Sequence, residues 1–180
     1  MPIIHYITPF CTGNIGKGIN DTIQCFNEDD WICLRDQDTL LFQGSGELIE
    51  DIVNTHSDYA LIGCYMNRLR ATDQLWDKVF SNNTDLLAHL ERATISREMH
   101  STLVKEVDFD LAGAFMLFPK STWSKVGGFQ EKSLIFDRVF TRKARTFGKV
   151  GIAEGLYIFH TYRMGSSDPL NDISHLKSCL

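Results

Sequence analysis

Short apolar runs alternate with amphipathic stretches along the chain. Ile3 to Thr8 predicts a first strand, closed by Pro9, and Ile15 to Phe26 has helical apolar spacing that Asn27-Glu28-Asp29-Asp30 breaks. Trp31 to Leu34 predicts the second strand, Gly46 to Thr55 a helix, and Tyr59 to Tyr65 another strand. Asn83 to Met99 predicts a helix with Asn83 or Thr84 as its N-cap. Phe115 to Phe118 predicts a buried strand stopped by Pro119, followed by a short helix capped by Ser121 and ended by Gly127-Gly128. Phe136 to Phe147 predicts a helix with Gly148 as its stop, and Val150 to Ala153 and Tyr157 to Tyr162 predict the final strands. From Gly165 onward the chain turns polar and is expected to lie on the surface.

Strands that alternate with helices predict an α/β fold with a mostly parallel central sheet flanked by helices, a Rossmann-like arrangement. No repeat or linker divides the chain, so residues 1–180 are expected to form one domain, with 165–180 as a surface tail. The chain's 180 residues suffice for a sizeable core, and 43% hydrophobic with 23% charged residues is an ordinary globular balance. The net charge of -5, with no block of lysines or arginines, argues against nucleic acid as a partner. Neither a signal peptide nor a membrane span is visible. The five cysteines form no Cys-x-x-Cys pair, and Cys33 and Cys64 lie in apolar runs, so a reduced, cytoplasmic setting is expected.

The strand Trp31-Ile32-Cys33-Leu34 ends in Arg35-Asp36-Gln37-Asp38-Thr39. Residues two apart in an extended chain project to one side, so Asp36 and Asp38 would point together off the strand end. Two carboxylates that close repel unless a cation sits between them, and a hard divalent ion with oxygen ligands answers that need. A polar turn with both side chains in water writes the same pattern. His160 ends the apolar run Leu156 to Phe159 and offers a third ligand, although a lone histidine there also serves structure. Asp137 opens a helix, where capping and catalysis compete as explanations. The segment Thr12 to Gly18 fails as a phosphate loop: its Lys17 is not followed by Ser or Thr, and its glycine spacing is too short.

Taken in order, these stretches resemble the family-2 type of GT-A glycosyltransferases, which use nucleotide sugars. The resemblance runs from Ile4 to about Arg163. Its residues are Ile7-Thr8-Pro9-Phe10, Asn14-Ile15-Gly16-Lys17-Gly18-Ile19-Asn20, Trp31 to Thr39, Ala112-Gly113-Ala114-Phe115, Val126-Gly127-Gly128-Phe129, Phe136-Asp137 and His160. It implies Mn2+ or Mg2+ bound by Asp36, Asp38 and His160, and Asp137 as general base. It further implies a nucleotide-diphosphate sugar donor near Thr8, Pro9, Asn14, Lys17, Asn20, Arg35, Gly113 and Ala114. A saccharide or other hydroxyl acceptor would lie near Gly128 and Phe129, with transfer inverting the sugar configuration. Three departures stand out. Phe136 replaces the first acid of the helix start, Lys143 replaces an arginine on that helix, and the stretch before Asp36 is short. They support an inactive nucleotide-sugar-binding relative as the alternative. A sugar-phosphate nucleotidyltransferase would want a glycine-rich loop ending in arginine, which Thr12 to Gly18 lacks.

Overall fold

The computed structural model describes residues 2–162 and Met164, so the expected tail at 165–180 lies outside the described residues. Seven strands build one sheet: β1 (Ile4–Ile7), β2 (Trp31–Arg35), β3 (Thr39–Leu40), β4 (Tyr59–Met66), β5 (Val104–Glu106), β6 (Phe115–Pro119) and β7 (Lys149–His160). Five α-helices accompany them: α1 (Ile15–Ile23), α2 (Ser45–Thr55), α3 (Leu86–His100), α4 (Lys120–Val126) and α5 (Phe136–Ala144). Alternation along β2 divides its side chains between two cores. Trp31 and Cys33 join Leu48, Ile49, Ile52 and Val53 of α2, whereas Ile32 and Leu34 join Ile19 and Ile23 of α1 and Phe140 of α5. Helices therefore cover both sheet faces, as the alternating pattern requires.

The sheet is mixed, not mostly parallel as expected. Its order is β1-β2-β6-β4-β7-β3, with β5 also on β7. The β1·β2 and β4·β7 pairs are parallel, but β6 enters antiparallel between β2 and β4, and β3 and β5 run antiparallel to β7. A run buried on both faces, such as Phe115–Phe118, is apolar whichever way it points, so the residues carry no direction. The two final predicted strands are one. Along β7, Cys64 of β4 faces Ala153 and Tyr65 faces Tyr157, so residues 154–156 bulge without breaking the strand. Gly155 is needed there because a Cβ would meet the Ser101 carbonyl oxygen at 2.0 Å.

Helix starts differ where several polar residues compete. Asp85, not Asn83 or Thr84, caps α3 and accepts the Leu87 N–H at 2.9 Å, while the Asn83 side chain accepts from the Asp85 N–H. Helix α4 begins directly after Pro119, ahead of Ser121, and ends as expected at Gly127, whose φ is +83°. Helix α5 stops at Ala144, and Arg145–Phe147 form a turn before β7, so Gly148 is not its stop. The short strands β3 and β5 carry no run of their own in the sequence.

Parallel orientation of β1, β2, β4 and β7 brings their carboxyl ends to one rim. Thr8, Asp36, Asn67 and His160 lie at or just past those ends, and Gly113-Ala114 enter β6 there. Open α/β sheets bind ligands at this rim.

Candidate functional site

Asp36, Asp38 and His160 converge at the rim, with one ligand atom from each lying within 4.8 Å of the others. The convergence does not come from strand alternation as expected. Residues 36–39 leave β2 in a turn: the Asp36 carbonyl accepts the Thr39 N–H at 3.3 Å and its hydroxyl at 2.7 Å. Thr39 then pairs with His160 in the β3·β7 ladder, and the Thr161 N–H donates to the Asp38 carbonyl at 3.0 Å. The turn aims both carboxylates, and the ladder delivers the imidazole.

The histidine is 2% exposed, and its ring orientation is fixed. Nδ1 lies 3.0 Å from the Arg68 carbonyl oxygen, which only accepts, so Nδ1 carries the proton and donates. Nε2 then faces Asp38 Oδ1 at 3.1 Å and Asp36 Oδ2 at 4.0 Å. In the neutral imidazole a lone pair thus points at two carboxylates, and only a cation or a second proton reconciles the three. Histidines that bind metals commonly donate their other N–H to a carbonyl in this way. Metal–ligand bonds of ~2.1 Å set neighbouring ligand atoms about 3–4 Å apart; the Nε2 spacings of 3.1 Å to Asp38 and 4.0 Å to Asp36 lie in that range, so the three groups could hold a metal ion.

Desolvation by surrounding protein pushes the Asp36 carboxyl up to about 6; His160 opposes the shift, and Asp38 and Asp137 add to it. With 39% of its side chain exposed, Asp36 keeps an open side toward solvent. Desolvation also acts to raise Asp38, but the hydrogen bond and charge of His160 and the Thr161 hydroxyl at 3.1 Å bring it below the usual carboxylate value.

Asp137 stands beside the cluster, in the first turn of α5. Its Oδ2 accepts the Gly113 N–H at 3.0 Å and its Oδ1 the Arg138 N–H at 2.8 Å. Burial raises its pKa, and these two amides hold back part of the rise. Gly113 packs closely against α5: a Cβ there would meet Phe136 Cζ at 2.9 Å, so the ring would have to shift. Ala114 closes the ring, its carbonyl accepting the Asp36 N–H at 3.1 Å. Arg35 ends β2, and its buried Nε has no acceptor among the described residues.

The glycine-rich stretch ties α1 to a neighbouring loop. Asn14 caps α1 and also accepts the Lys132 N–H at 2.9 Å, while the Lys17 ammonium pairs with Asp21. Asn20 Oδ1 accepts from Trp123 Nε1 at 3.0 Å and from the Phe129 N–H at 2.8 Å, and its Nδ2 donates to the Phe129 carbonyl at 2.9 Å. Gly128, at φ +80°, leaves room for that amide, and Phe129 is a core ring stacked on Phe140 at 4.0 Å. Asn14, Asn20, Gly128 and Phe129 thus clamp α1 to the 128–132 loop. Lys143 donates to the Val126 carbonyl at 3.4 Å. Thr8 is exposed and Pro9 half-buried past the end of β1. A cavity of about 560 Å³ lies elsewhere, between Tyr65, Asp73, Lys78, Lys105 and Arg145, and includes none of the cluster residues.

Sequence reasoning missed Asn67, Arg68 and Thr161, which position the cluster. Only the polar pair Asn67-Arg68 after the apolar run of β4 hinted at them. Compared with known proteins, the chain matches no family model and no curated sequence. No helix among the described residues is long and apolar enough to cross a membrane, and the four described cysteines, Cys11, Cys25, Cys33 and Cys64, are free thiols.

Proposed function

We propose that the chain is a metal-dependent glycosyltransferase of the GT-A type, moving a sugar from a nucleotide-diphosphate donor to an acceptor hydroxyl. The observation that carries this reading is the His160 ring, whose Nδ1 is committed to the Arg68 carbonyl while Nε2 faces Asp36 and Asp38. Asp36, Asp38 and His160 would hold Mn2+ or Mg2+, and the imidazole favours Mn2+, because Mg2+ prefers an all-oxygen set. A cation there supplies positive charge where the diphosphate leaving group gains negative charge. The buried Nε of Arg35 has no acceptor among the described residues, and a phosphate oxygen would meet that need. Asp137 accepts the proton of the acceptor hydroxyl, and burial, by raising its pKa, strengthens it as a base.

Calorimetry with UDP and GDP, run with Mn2+, with Mg2+ and with chelator, tests the proposal. Binding is expected only with metal and more tightly with Mn2+ than with Mg2+; equal binding in chelator refutes it. A second reading, a nucleotide-sugar-binding protein without turnover, is favoured by one feature. Both Asp137 oxygens already accept main-chain N–H groups, which weakens the carboxylate as a base. Metal-dependent donor binding with no transfer to any hydroxyl acceptor would select it.

A further inference from the structure

We propose that Asn67 is the positioning residue of the cluster: it seats His160 in the Nδ1–H form with Nε2 delivered to the carboxylates. The inference deepens the metal reading and rests on it for its functional meaning. Asn67 is fully buried, at 0% exposure, just past the end of β4. Its Oδ1 accepts the His160 main-chain N–H at 2.7 Å, which fixes the amide orientation, since that N–H can only donate. The next residue, Arg68, supplies the carbonyl that takes Nδ1–H. Consecutive residues therefore hold the histidine at two points, one on its backbone and one on its ring. A ring held at Nδ1 alone could swing about the backbone; a backbone held at N–H alone could turn its ring. Together they leave one orientation.

The surroundings of Asn67 tie down the holder itself. Its carbonyl accepts the Ser81 N–H at 2.9 Å, and Arg68 donates from Nε to the Tyr162 carbonyl at 3.0 Å and from its guanidinium to Asn82 Oδ1 at 2.6 Å. The residues after β4 and after β7 are thereby locked side by side. This lock carries a cost. The Asn67 Nδ2 is buried with no hydrogen-bond partner among the described residues. An orphaned buried donor is unfavourable, so the asparagine is poorly explained by stability and well explained by the one acceptor it places against His160. The Arg68 carbonyl is the kind of ring partner that tunes metal affinity without touching the ion, and Asn67 fixes the backbone from which that ring hangs.

The test uses the full chain and reads three quantities: the ring 15N shifts of His160 in metal-free protein, Mn2+ affinity from the electron paramagnetic resonance of free Mn2+ with and without UDP, and the melting temperature. Asn67→Ala is expected to shift His160 from a single Nδ1–H tautomer to an averaged one and to weaken Mn2+ by about 10–100-fold. Asn67→Asp keeps an oxygen in the same place and should restore the single tautomer. Its added charge makes the tautomer, not the affinity, the measure of rescue. Should Asn67→Ala fail to fold, Asn67→Ser is read in its place with the same expected direction. A variant that melts earlier but keeps the parent tautomer and Mn2+ affinity overturns the proposal and leaves Asn67 a structural cap. If the parent binds no Mn2+, the metal reading falls, while the tautomer shift still decides whether Asn67 seats the ring.

Discussion

At the scale of single residues, the site depends on groups with few substitutes. Asp38 places Oδ1 3.1 Å from His160 Nε2 and accepts the Thr161 hydroxyl through Oδ2, while its carbonyl accepts the Thr161 N–H. Asp38→Ala removes the side-chain contacts and leaves the backbone bond. Metal-dependent nucleotide binding should disappear while the loss of stability stays near 1 kcal/mol, as for a partly exposed hydrogen-bonded side chain. Thermal melting and calorimetry on the same sample check both halves; a collapse in melting temperature would make the carboxylate structural. Asp137→Asn should leave donor affinity almost unchanged and lower transfer by about 10²–10⁴-fold, the usual cost of losing a general base. The amide retains one of the two main-chain bonds, because its NH2 group cannot accept from Gly113 or Arg138. A small fall in stability should therefore accompany the kinetic effect, and rates measured beside donor affinity separate the two.

At the scale of elements, residues of the glycine-rich stretch carry contacts that hold the fold together. Asn14, Lys17 and Asn20 are expected at the donor; in the structure Asn14 and Asn20 also hold α1 against the 128–132 loop. A Cβ on Gly16 would meet the Gln130 carbonyl oxygen at 2.4 Å, and Asn20 binds both Phe129 and Trp123. Asn20→Ala should thus destabilise the fold by on the order of 2–3 kcal/mol, as a buried N–H loses its acceptor. Mn2+ affinity should not change, since the clamp lies apart from the cluster residues. Denaturant unfolding gives the first number, and a matching loss of Mn2+ binding in the folded variant would contradict the separation. The motif was legible in the sequence; its contacts to the 128–132 loop were not, because the same amide can face a ligand or a neighbouring turn.

For the whole molecule, the raised Asp36 pKa gives stability a pH dependence that a bound cation would reverse. Asp36 has its folded-state pKa raised to about 6, above its unfolded value near 3.8. The folded state therefore binds its proton more tightly than the unfolded state does. Between about pH 4 and 6 this group stabilises the metal-free protein as pH falls, and that contribution is lost as pH rises through 6. Asp38, lowered instead, acts in the opposite sense and only at lower pH. Melting of the metal-free chain should be higher at pH 5.5 than at pH 7.5 as far as Asp36 governs it. Saturating Mn2+ should reverse the order, because the ion competes with the proton for that carboxylate. Melting curves at the two pH values with Mn2+ and with chelator check the crossing; parallel curves would remove Asp36 from the metal site.

The amino-acid sequence by itself determined the alternation of strands and helices, the residues that fill both cores, and the chemical identity of the three cluster side chains. These follow from local spacing and residue type: β2 shows its two-sided burial in Trp31-Ile32-Cys33-Leu34, and His160 ends an apolar run. Strand direction was decided only in three dimensions, since β6 is apolar on both sides in either orientation. So were the weak strands β3 and β5, which exist because β7 offers them an edge. Tertiary structure also settled which atoms meet. Thr39 pairing with His160 across the sheet brings Asp38 to the imidazole, and Asn67 and Arg68 reach the same histidine from the neighbouring strand. Contacts between residues some ninety or more positions apart leave no local period to read; they are fixed by how the strand ends align at one rim.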